Sequence, residues 1–182
     1  MFDSSHAGDL SQCIDNHGFV EWYSLKRAIS CDECPAGTFS GPAAPNCTDC
    51  PEGTFGLAVN RSTCVACEAG RFTWQPKSTF CRPCAVGRFA GNASSAACDF
   101  CPAGRVAPSP NTTACLRCAR GKWQPSTGQT ACLDCDTGRM AEQKGATVCE
   151  DCKAGRFAAP GSGNCSSCLA GFYSPPRALN CR

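Results

Sequence analysis

Hydrophobic and polar residues alternate in short triplets that recur at regular intervals along most of the chain. Each triplet is a glycine, a mostly polar residue and a large apolar residue, as in Gly70-Arg71-Phe72 and Gly87-Arg88-Phe89. In an extended strand, this alternation puts the glycine and the large residue on one face and the middle residue on the other. Turn residues such as Gly91-Asn92 follow, and a short segment leads back to the next cysteine. The pattern predicts one short β-hairpin per repeat.

The triplets keep a fixed register with the cysteines. Cys-x-x-Cys pairs recur every 16 or 17 residues, and a glycine follows each pair by three positions. We expect this glycine to allow a positive φ or a close approach of the backbone beside a disulfide. We predict that the large residues form a small core there and are not a platform for stacking sugars. The glycines are Gly37, Gly53, Gly70, Gly87, Gly104, Gly121, Gly138, Gly155 and Gly171, and the large residues are Phe39, Phe55, Phe72, Phe89, Val106, Trp123, Met140, Phe157 and Tyr173.

Cysteine content determines the class of protein. The chain has 182 residues and 20 cysteines, about 11%, which is the level of a disulfide scaffold. Large apolar side chains are too few to offset the conformational entropy of a chain rich in glycine and proline. A disulfide that closes a loop of about 15 residues contributes roughly 3 kcal/mol. Such a chain belongs in a secretory lumen, on a cell surface or outside the cell.

Sequential pairing accounts for every cysteine, whereas crossed bonds between whole Cys-x-x-Cys pairs need an even number of pairs and there are nine. Each pair would then join two loops, its first sulfur closing the loop behind and its second the loop ahead. The predicted bonds are Cys13–Cys31, Cys34–Cys47, Cys50–Cys64, Cys67–Cys81, Cys84–Cys98, Cys101–Cys115, Cys118–Cys132, Cys135–Cys149, Cys152–Cys165 and Cys168–Cys181. Under another pairing, Cys13 and Cys181 would be able to link one chain to the next.

The predicted fold is a small, disulfide-rich, all-β array of nine tandem hairpins of about 17 residues, stacked mainly on their neighbours as an extended, solenoid-like rod. Residues 31–182 form the repeats. Residues 1–30 differ in composition and are predicted to be a cap or the end of a preceding domain. They lack the apolar core of a signal peptide, and the chain has no apolar stretch of membrane-spanning length, so we expect a mature chain or an excerpt of a longer protein.

The segments Cys31-Asp-Glu-Cys-Pro-Ala-Gly-Thr-Phe-Ser and Cys98-Asp-Phe-Cys-Pro-Ala-Gly-Arg resemble the cysteine-rich repeat of ephrin-receptor-like domains. More distantly they resemble the first submodule of tumour-necrosis-factor-receptor repeats, although the chain lacks the interleaved cysteines of the six-cysteine module. The resemblance covers residues 31–181. In the latter family one disulfide closes the equivalent loop, which implies the same sequential pairing. The resemblance also implies a place in large cell-surface or matrix proteins of protists, algae or animals, as stalks, adhesins or fibrous appendages.

Cys-x-x-Cys pairs also occur in zinc sites and in thioredoxin-like redox centres. A four-cysteine zinc site would leave one of the nine pairs over, and nine equal copies without a βαβ unit argue against a redox centre. We predict neither a cofactor nor a metal. Both histidines, His6 and His17, lie in the N-terminal segment, and no nucleophile, base and acid recur together, so we expect no enzymatic activity.

Five of the seven asparagines lie in N-x-[ST] sequons: Asn46, Asn60, Asn92, Asn111 and Asn164. We predict N-glycosylation at all five. Modification at Asn46 and Asn164 is expected to be less complete, because the middle residue of each sequon is a cysteine whose disulfide formation competes with glycan transfer.

The middle residue of the triplet is basic in six consecutive repeats: Arg71, Arg88, Arg105, Lys122, Arg139 and Arg156. One interpretation is a solvated face that keeps strand edges from aggregating. The other is a cationic stripe that binds an acidic polysaccharide or an acidic neighbouring chain. The formal net charge of +2 gives no support for nucleic-acid binding.

Four apolar residues outside the repeating positions, Trp74, Phe80, Phe100 and Leu169, are candidates for partner contacts. The sequence therefore predicts an extracellular structural glycoprotein that self-associates with neighbouring copies into a stalk, fibre or filament. The alternative is a ligand-binding fragment of the ectodomain of a cell-surface receptor or adhesin.

Overall fold

The computed structural model describes residues 33–41, 44 and 46–182. Within these residues the chain forms sixteen strands of two residues each and no helix. The strands are β1 (Thr38–Phe39), β2 (Thr48–Asp49), β3 (Thr54–Phe55), β4 (Val65–Ala66), β5 (Arg71–Phe72), β6 (Arg82–Pro83), β7 (Arg88–Phe89), β8 (Asp99–Phe100), β9 (Arg105–Val106), β10 (Leu116–Arg117), β11 (Lys122–Trp123), β12 (Leu133–Asp134), β13 (Arg139–Met140), β14 (Glu150–Asp151), β15 (Arg156–Phe157) and β16 (Ser166–Ser167).

Successive strands pair into eight two-stranded sheets, from β1–β2 to β15–β16. The first strand of each sheet holds the middle and large residues of a triplet, and the second holds the two residues inside the next Cys-x-x-Cys. In β13–β14, for example, Arg139 faces Asp151 and Met140 faces Glu150 in antiparallel register. The ninth repeat has no assigned strand, but Tyr173 and Arg182 exchange backbone hydrogen bonds of 2.9 and 2.8 Å. The predicted hairpin is therefore present in eight repeats and reduced to one residue pair in the ninth.

Nine disulfides follow the predicted sequential pairing, from Cys34–Cys47 to Cys168–Cys181. The predicted fold class, a small disulfide-rich all-β array of tandem repeats, is confirmed. Cys181 bonds to Cys168 and is not available to link two chains. The predicted bond Cys13–Cys31 and the predicted cap at residues 1–30 lie outside the described residues.

The recurring glycine occupies the third position of a tight turn that opens each hairpin. In the first described repeat, the Thr38 amide donates a hydrogen bond of 3.1 Å to the Pro35 carbonyl, and Gly37 between them has a φ of 86°. A turn with a left-handed third residue is of type II, which strongly favours glycine there. The nine repeat glycines all have positive φ, so the conformation expected from the sequence is confirmed.

In seven of the repeats, the side chain that follows the large residue of the triplet is buried together with the disulfide cysteines, a position that the alternation did not identify. Ala107, for example, is fully buried between Cys101 and Cys115, whereas the large residue Phe89 of the preceding repeat packs against this cluster and remains half-buried. The buried residues at this position are Thr73, Ala90, Ala107, Gln124, Ala141, Ala158 and Ser174.

Contact density divides the chain into two compact units. The first contains the described part of Met1–Cys67 together with Thr73–Arg82 and Ser94–Ala96, and it includes the disulfides Cys34–Cys47, Cys50–Cys64 and Cys67–Cys81. The second contains Glu68–Phe72, Pro83–Ala93 and Ala97–Arg182, with the remaining six disulfides.

Within each unit, one backbone hydrogen bond recurs between consecutive repeats. The repeat glycine donates its N–H to the carbonyl of the residue after the next large residue, as from Gly53 to Thr73 in the first unit and from Gly87 to Ala107 in the second, both at 2.8 Å. The bond forms eight times, from Gly37 to Gly155. Each closed loop is therefore connected to the following one by its backbone as well as by the intervening Cys-x-x-Cys.

A second left-handed residue lies four positions before the closing cysteine of eight loops. Its N–H donates to the carbonyl of the opening cysteine one loop back, as from Asn111 to Cys84 at 3.0 Å. In seven of the eight cases its own carbonyl oxygen would clash with a Cβ on the glycine two repeats back, as the Asn111 oxygen lies 2.3 Å from the ideal Cβ position of Gly70. The left-handed residues are Asn60, Lys77, Ser94, Asn111, Gly128, Gly145, Gly161 and Arg177. Repeats thus contact second neighbours as well as first ones.

Candidate functional site: exposed side chains of the repeats

All five sequon asparagines, Asn46, Asn60, Asn92, Asn111 and Asn164, are exposed. Asn60 and Asn111 are also left-handed residues, with φ of 57° and 59°, so their backbones are fixed by the fold while their side chains face solvent. An exposed side-chain amide is what glycan transfer needs. N-glycosylation itself stays a prediction.

Two of the six basic residues of the predicted stripe are paired with acids across their own hairpins. Lys122 Nζ lies 2.6 Å from Asp134 Oδ1, and Arg139 Nε lies 2.7 Å from Asp151 Oδ1. Arg139 also donates to the Cys149 carbonyl at 2.8 Å. These contacts reduce the net positive charge that either residue presents to a partner.

A third basic residue, Arg88, is held by an aromatic ring. Its guanidinium carbon lies 3.7 Å from the ring centroid of Phe100, and Arg88 donates to the Cys98 carbonyl at 3.1 Å. A guanidinium over a ring face is attracted by the ring quadrupole. Phe100, a predicted partner contact, therefore has an intramolecular role in its own hairpin.

Arg105 and Arg156 of the stripe are not neutralised in this way. Arg105 faces Arg117 across β9 and β10, a pair of like charges, and Arg156 faces Ser167 across β15 and β16. Neither Arg105 nor Arg156 has an ion pair with a described residue, and Arg71 is exposed. The stripe is therefore uneven, with charge concentrated at some repeats and offset at others.

The cross-strand partners of the basic stripe were not predicted from the sequence, although the spacing that identifies them is present in it. The middle residue of a triplet faces the second residue inside the next Cys-x-x-Cys, eleven or twelve positions later, as in the pairing of Lys122 with Asp134. Applied to the sequence, this offset identifies Asp134, Asp151, Phe100 and Arg117 as the residues that modify the stripe.

A cavity of about 460 Å³ is formed by the loop that the Cys67–Cys81 disulfide closes. Two exposed rings line it, Trp74 with 46% and Phe80 with 56% of its surface accessible. The Arg82 guanidinium carbon lies 4.7 Å from the Trp74 centroid and 5.8 Å from the Phe80 centroid. The structure thus brings together two of the apolar residues that the sequence placed outside the repeat pattern.

Hydrogen bonds hold this loop in shape. The hydroxyls of Thr73 and Ser78 lie 2.6 Å apart, and Ser78 donates to the Gln75 carbonyl at 2.6 Å. The left-handed Lys77 donates its N–H to the Cys50 carbonyl at 2.8 Å. The cavity is therefore built by the fold and does not depend on a ligand to form it.

Leu169, the other apolar candidate, is 78% exposed and lies in the ninth repeat.

The described cysteines are all in disulfides, so the thiols of these Cys-x-x-Cys pairs do not form a four-cysteine zinc site or a free redox dithiol. Among residues 33–41, 44 and 46–182 no other cluster of His, Cys, Asp or Glu could hold a metal ion. Nor does any helix in that part of the chain have the length and hydropathy to cross a bilayer.

Residues 37–80 and 109–152 match the family model described as tyrosine-protein kinase ephrin type A/B receptor-like. The predicted ephrin-receptor-like cysteine-rich repeats are thereby confirmed, and the two matches lie wholly within the disulfide repeats. A comparison with curated proteins found no match. The disulfides and the family match together define an extracellular disulfide-rich repeat domain.

Proposed function

We propose that this chain is part of an extracellular structural glycoprotein that forms a stalk, fibre or filament. The observation that carries the proposal is the backbone hydrogen bond from each repeat glycine to the next repeat, which recurs eight times at 2.8 to 2.9 Å. Together with one disulfide per loop, it joins every repeat to the next by the same contacts. A segment built this way resists local opening, because unfolding one repeat also breaks the contacts of its neighbours.

Self-association is the step of this proposal that leads from a repeat segment to a fibre. Contacts between unlike surfaces of identical chains generate open filaments when they do not close into a ring. Exposed sequons would keep the sides of such an assembly solvated and leave growth to the ends. The proposal assigns no catalytic role and no cofactor to the chain.

Electron microscopy of the secreted, oxidised full chain tests the proposal, with sedimentation velocity over a wide range of concentrations. We expect particles that lengthen by end-to-end addition as the concentration rises. A matched sample that has been reduced and alkylated should lose this behaviour, because its loops are no longer closed. Compact monomers at every concentration would contradict the filament hypothesis.

A ligand-binding ectodomain of a receptor or adhesin is the second candidate function. The cavity beside Trp74, Phe80 and Arg82 favours it, since exposed aromatic and arginine side chains are enriched in binding sites. A transmembrane segment elsewhere in the full-length gene would support a receptor, and its absence would support a shed or fibrous protein.

A further inference from the structure

We propose that the cavity formed by Thr73–Arg82 binds an acidic sugar residue of a glycan. The Arg82 guanidinium would bind the carboxylate or sulfate group, and the ring of Trp74 or Phe80 would contact the sugar ring. This inference goes beyond the structural role proposed above and does not depend on it.

Charge is the first argument for an anionic ligand. Arg82 is exposed and has no ion pair with a described residue, and its guanidinium lies over the faces of the Trp74 and Phe80 rings. The planar fork of a guanidinium matches the two oxygens of a carboxylate or sulfate. Lys77, on the same cavity, contacts Asp49 only loosely, at 3.8 Å, with both side chains more than half exposed. The cavity therefore presents positive charge to solvent.

Aromatic surface is the second argument, and it favours a sugar over a simple anion. Trp74 and Phe80 remain about half exposed although each lies near the Arg82 guanidinium. The face of an aromatic ring is electron-rich, so it attracts the polarised C–H bonds on one side of a sugar ring as it attracts a cation. Covering these rings also removes apolar surface from water, at about 25 cal/mol per Å².

Size and rigidity are the third argument. A cavity of about 460 Å³ falls within the range of about 300 to 1,000 Å³ that is typical of small-ligand sites. A protein partner usually covers roughly 800 Å² on each side, whereas this site is lined by one short loop, Thr73–Arg82. Because the disulfide and the Thr73 to Ser78 hydrogen bond already fix that loop, binding costs little conformational entropy.

Binding measurements on the secreted, glycosylated full chain test the proposal. The probes are oligogalacturonate for a carboxylated glycan, dextran sulfate for a sulfated one, neutral dextran as the uncharged control and poly-glutamate as an acidic polypeptide. We expect at least one acidic glycan to bind more tightly than neutral dextran and poly-glutamate. Added salt should weaken that binding, because exposed charges are screened within about 8 Å at physiological ionic strength.

Substitutions assign the binding to the cavity. We expect Arg82→Gln and Trp74→Ala each to weaken binding at least about tenfold. Arg82→Lys keeps the charge but loses the planar fork, so it should give an intermediate loss. The matched controls are Arg156→Gln, which removes another exposed charge, and Phe172→Ala, which removes a ring that is 57% exposed. Both should stay within about twofold of the unmodified chain.

Several results would overturn the proposal. Equal weakening by Arg82→Gln and Arg156→Gln would mean that binding is due to diffuse charge. Neutral dextran binding as tightly as both acidic glycans would exclude recognition of the anion, and preference for poly-glutamate would indicate a protein partner. Binding of none of the probes would also count against it. Disulfide mapping of each variant tests whether the loop still forms. If glycan binding fails while electron microscopy shows unchanged particles, the binding proposal fails and the fibre proposal does not.

Discussion

At the scale of single residues, the glycine is required for two separate reasons in seven of the nine triplets. Its positive φ belongs to the turn, and the position of its missing Cβ is occupied by a carbonyl from two repeats later. Gly87 shows both, with a φ of 76° and the Gly128 oxygen 2.1 Å from the ideal Cβ position. Gly155 has the same φ and nothing within 4 Å of that position.

This pair of glycines allows the two requirements to be measured separately. Gly155→Ala should cost about 1 to 2 kcal/mol, the strain of a left-handed non-glycine residue. Gly87→Ala should cost roughly 1 to 3 kcal/mol more, because the added methyl group overpacks against the backbone of Gly128. Hydrogen exchange of the amides in each substituted loop, compared with the same loop in the unmodified chain, gives the local free energy of opening. Equal costs at the two positions would show that φ alone requires glycine.

Sequence reasoning predicted the glycine but not the left-handed residue that meets it. Asn60, Asn111 and Gly128 are typical residues for that conformation, whereas Lys77 and Arg177 are not. Their φ is imposed by tertiary contacts, namely the hydrogen bond to a cysteine carbonyl in the preceding loop. Because residues as different as asparagine, glycine, lysine and arginine make this backbone contact between repeats, the local sequence does not predict it.

At the scale of the hairpin, the large side chains of four triplets pack against the disulfide cluster of the next repeat. Phe72 packs on the cluster of Cys84, Ala90 and Cys98, and Met140 packs on the cluster of Cys152, Ala158 and Cys165. The disulfide thus fixes its own loop, and the side chain from the preceding hairpin shields it from water. Packing between repeats protects the covalent bonds within them.

Phe89→Ala should therefore expose the Cys101–Cys115 disulfide of the following repeat. Truncating a fully buried Phe costs about 3 to 5 kcal/mol, and since Phe89 is half-buried we expect roughly half of that and a reduction of this bond at least about tenfold faster. Partial reduction with dithiothreitol, alkylation and peptide mass mapping would locate the sensitive bond. Leu116→Ala is the matched control, because Leu116 adjoins Cys115 but is 59% exposed. Identical reduction rates in the two variants would show that Phe89 does not shield the disulfide.

The alternation of hydrophobic and polar residues predicted the hairpins but not the centre of the core. A strand of two residues ends before the residue that follows the triplet, so the alternation does not extend to that position. Three of the buried residues at that position, Thr73, Gln124 and Ser174, are polar. Gln124 donates to the Ala131 carbonyl at 2.8 Å, and Ser174 donates to the Arg156 carbonyl at 2.9 Å. Because these hydrogen bonds make burial favourable, the residues have no apolar signature in the sequence.

At the scale of the whole molecule, covalent closure replaces the large apolar core of an ordinary domain. Both compact units consist of the same closed loops, and the described core is mainly cysteine and alanine. The regular cysteine spacing and the odd number of Cys-x-x-Cys pairs favoured sequential pairing, and the nine described bonds follow it. No comparable pattern predicted the cavity at Thr73–Arg82, because its shape depends on how one loop folds on itself.

Reduction of all disulfides should both unfold the array and reveal their number. If Cys13–Cys31 forms as predicted in addition to the nine described bonds, the intact mass should rise by about 20 Da, two hydrogens for each bond. Circular dichroism should show loss of structure, since a disulfide contributes about 2 to 4 kcal/mol and few large side chains remain to replace it. A chain held at the same temperature without reductant is the control. A smaller mass gain would indicate free thiols, and a folded reduced chain would contradict covalent closure as the main source of stability.

The constant distance between the left-handed residue and the closing cysteine restricts how a gene for such an array can change in length. Disulfide separations are 13 or 14 residues, yet that distance is four residues in the short loop ending at Cys165 and in the longer one ending at Cys149. The one-residue difference in length therefore lies between the triplet and the left-handed residue. Duplication or loss of one full period by unequal recombination would instead leave every remaining contact with an equivalent partner. The repeat is therefore the natural unit in which such a sequence can grow or shrink.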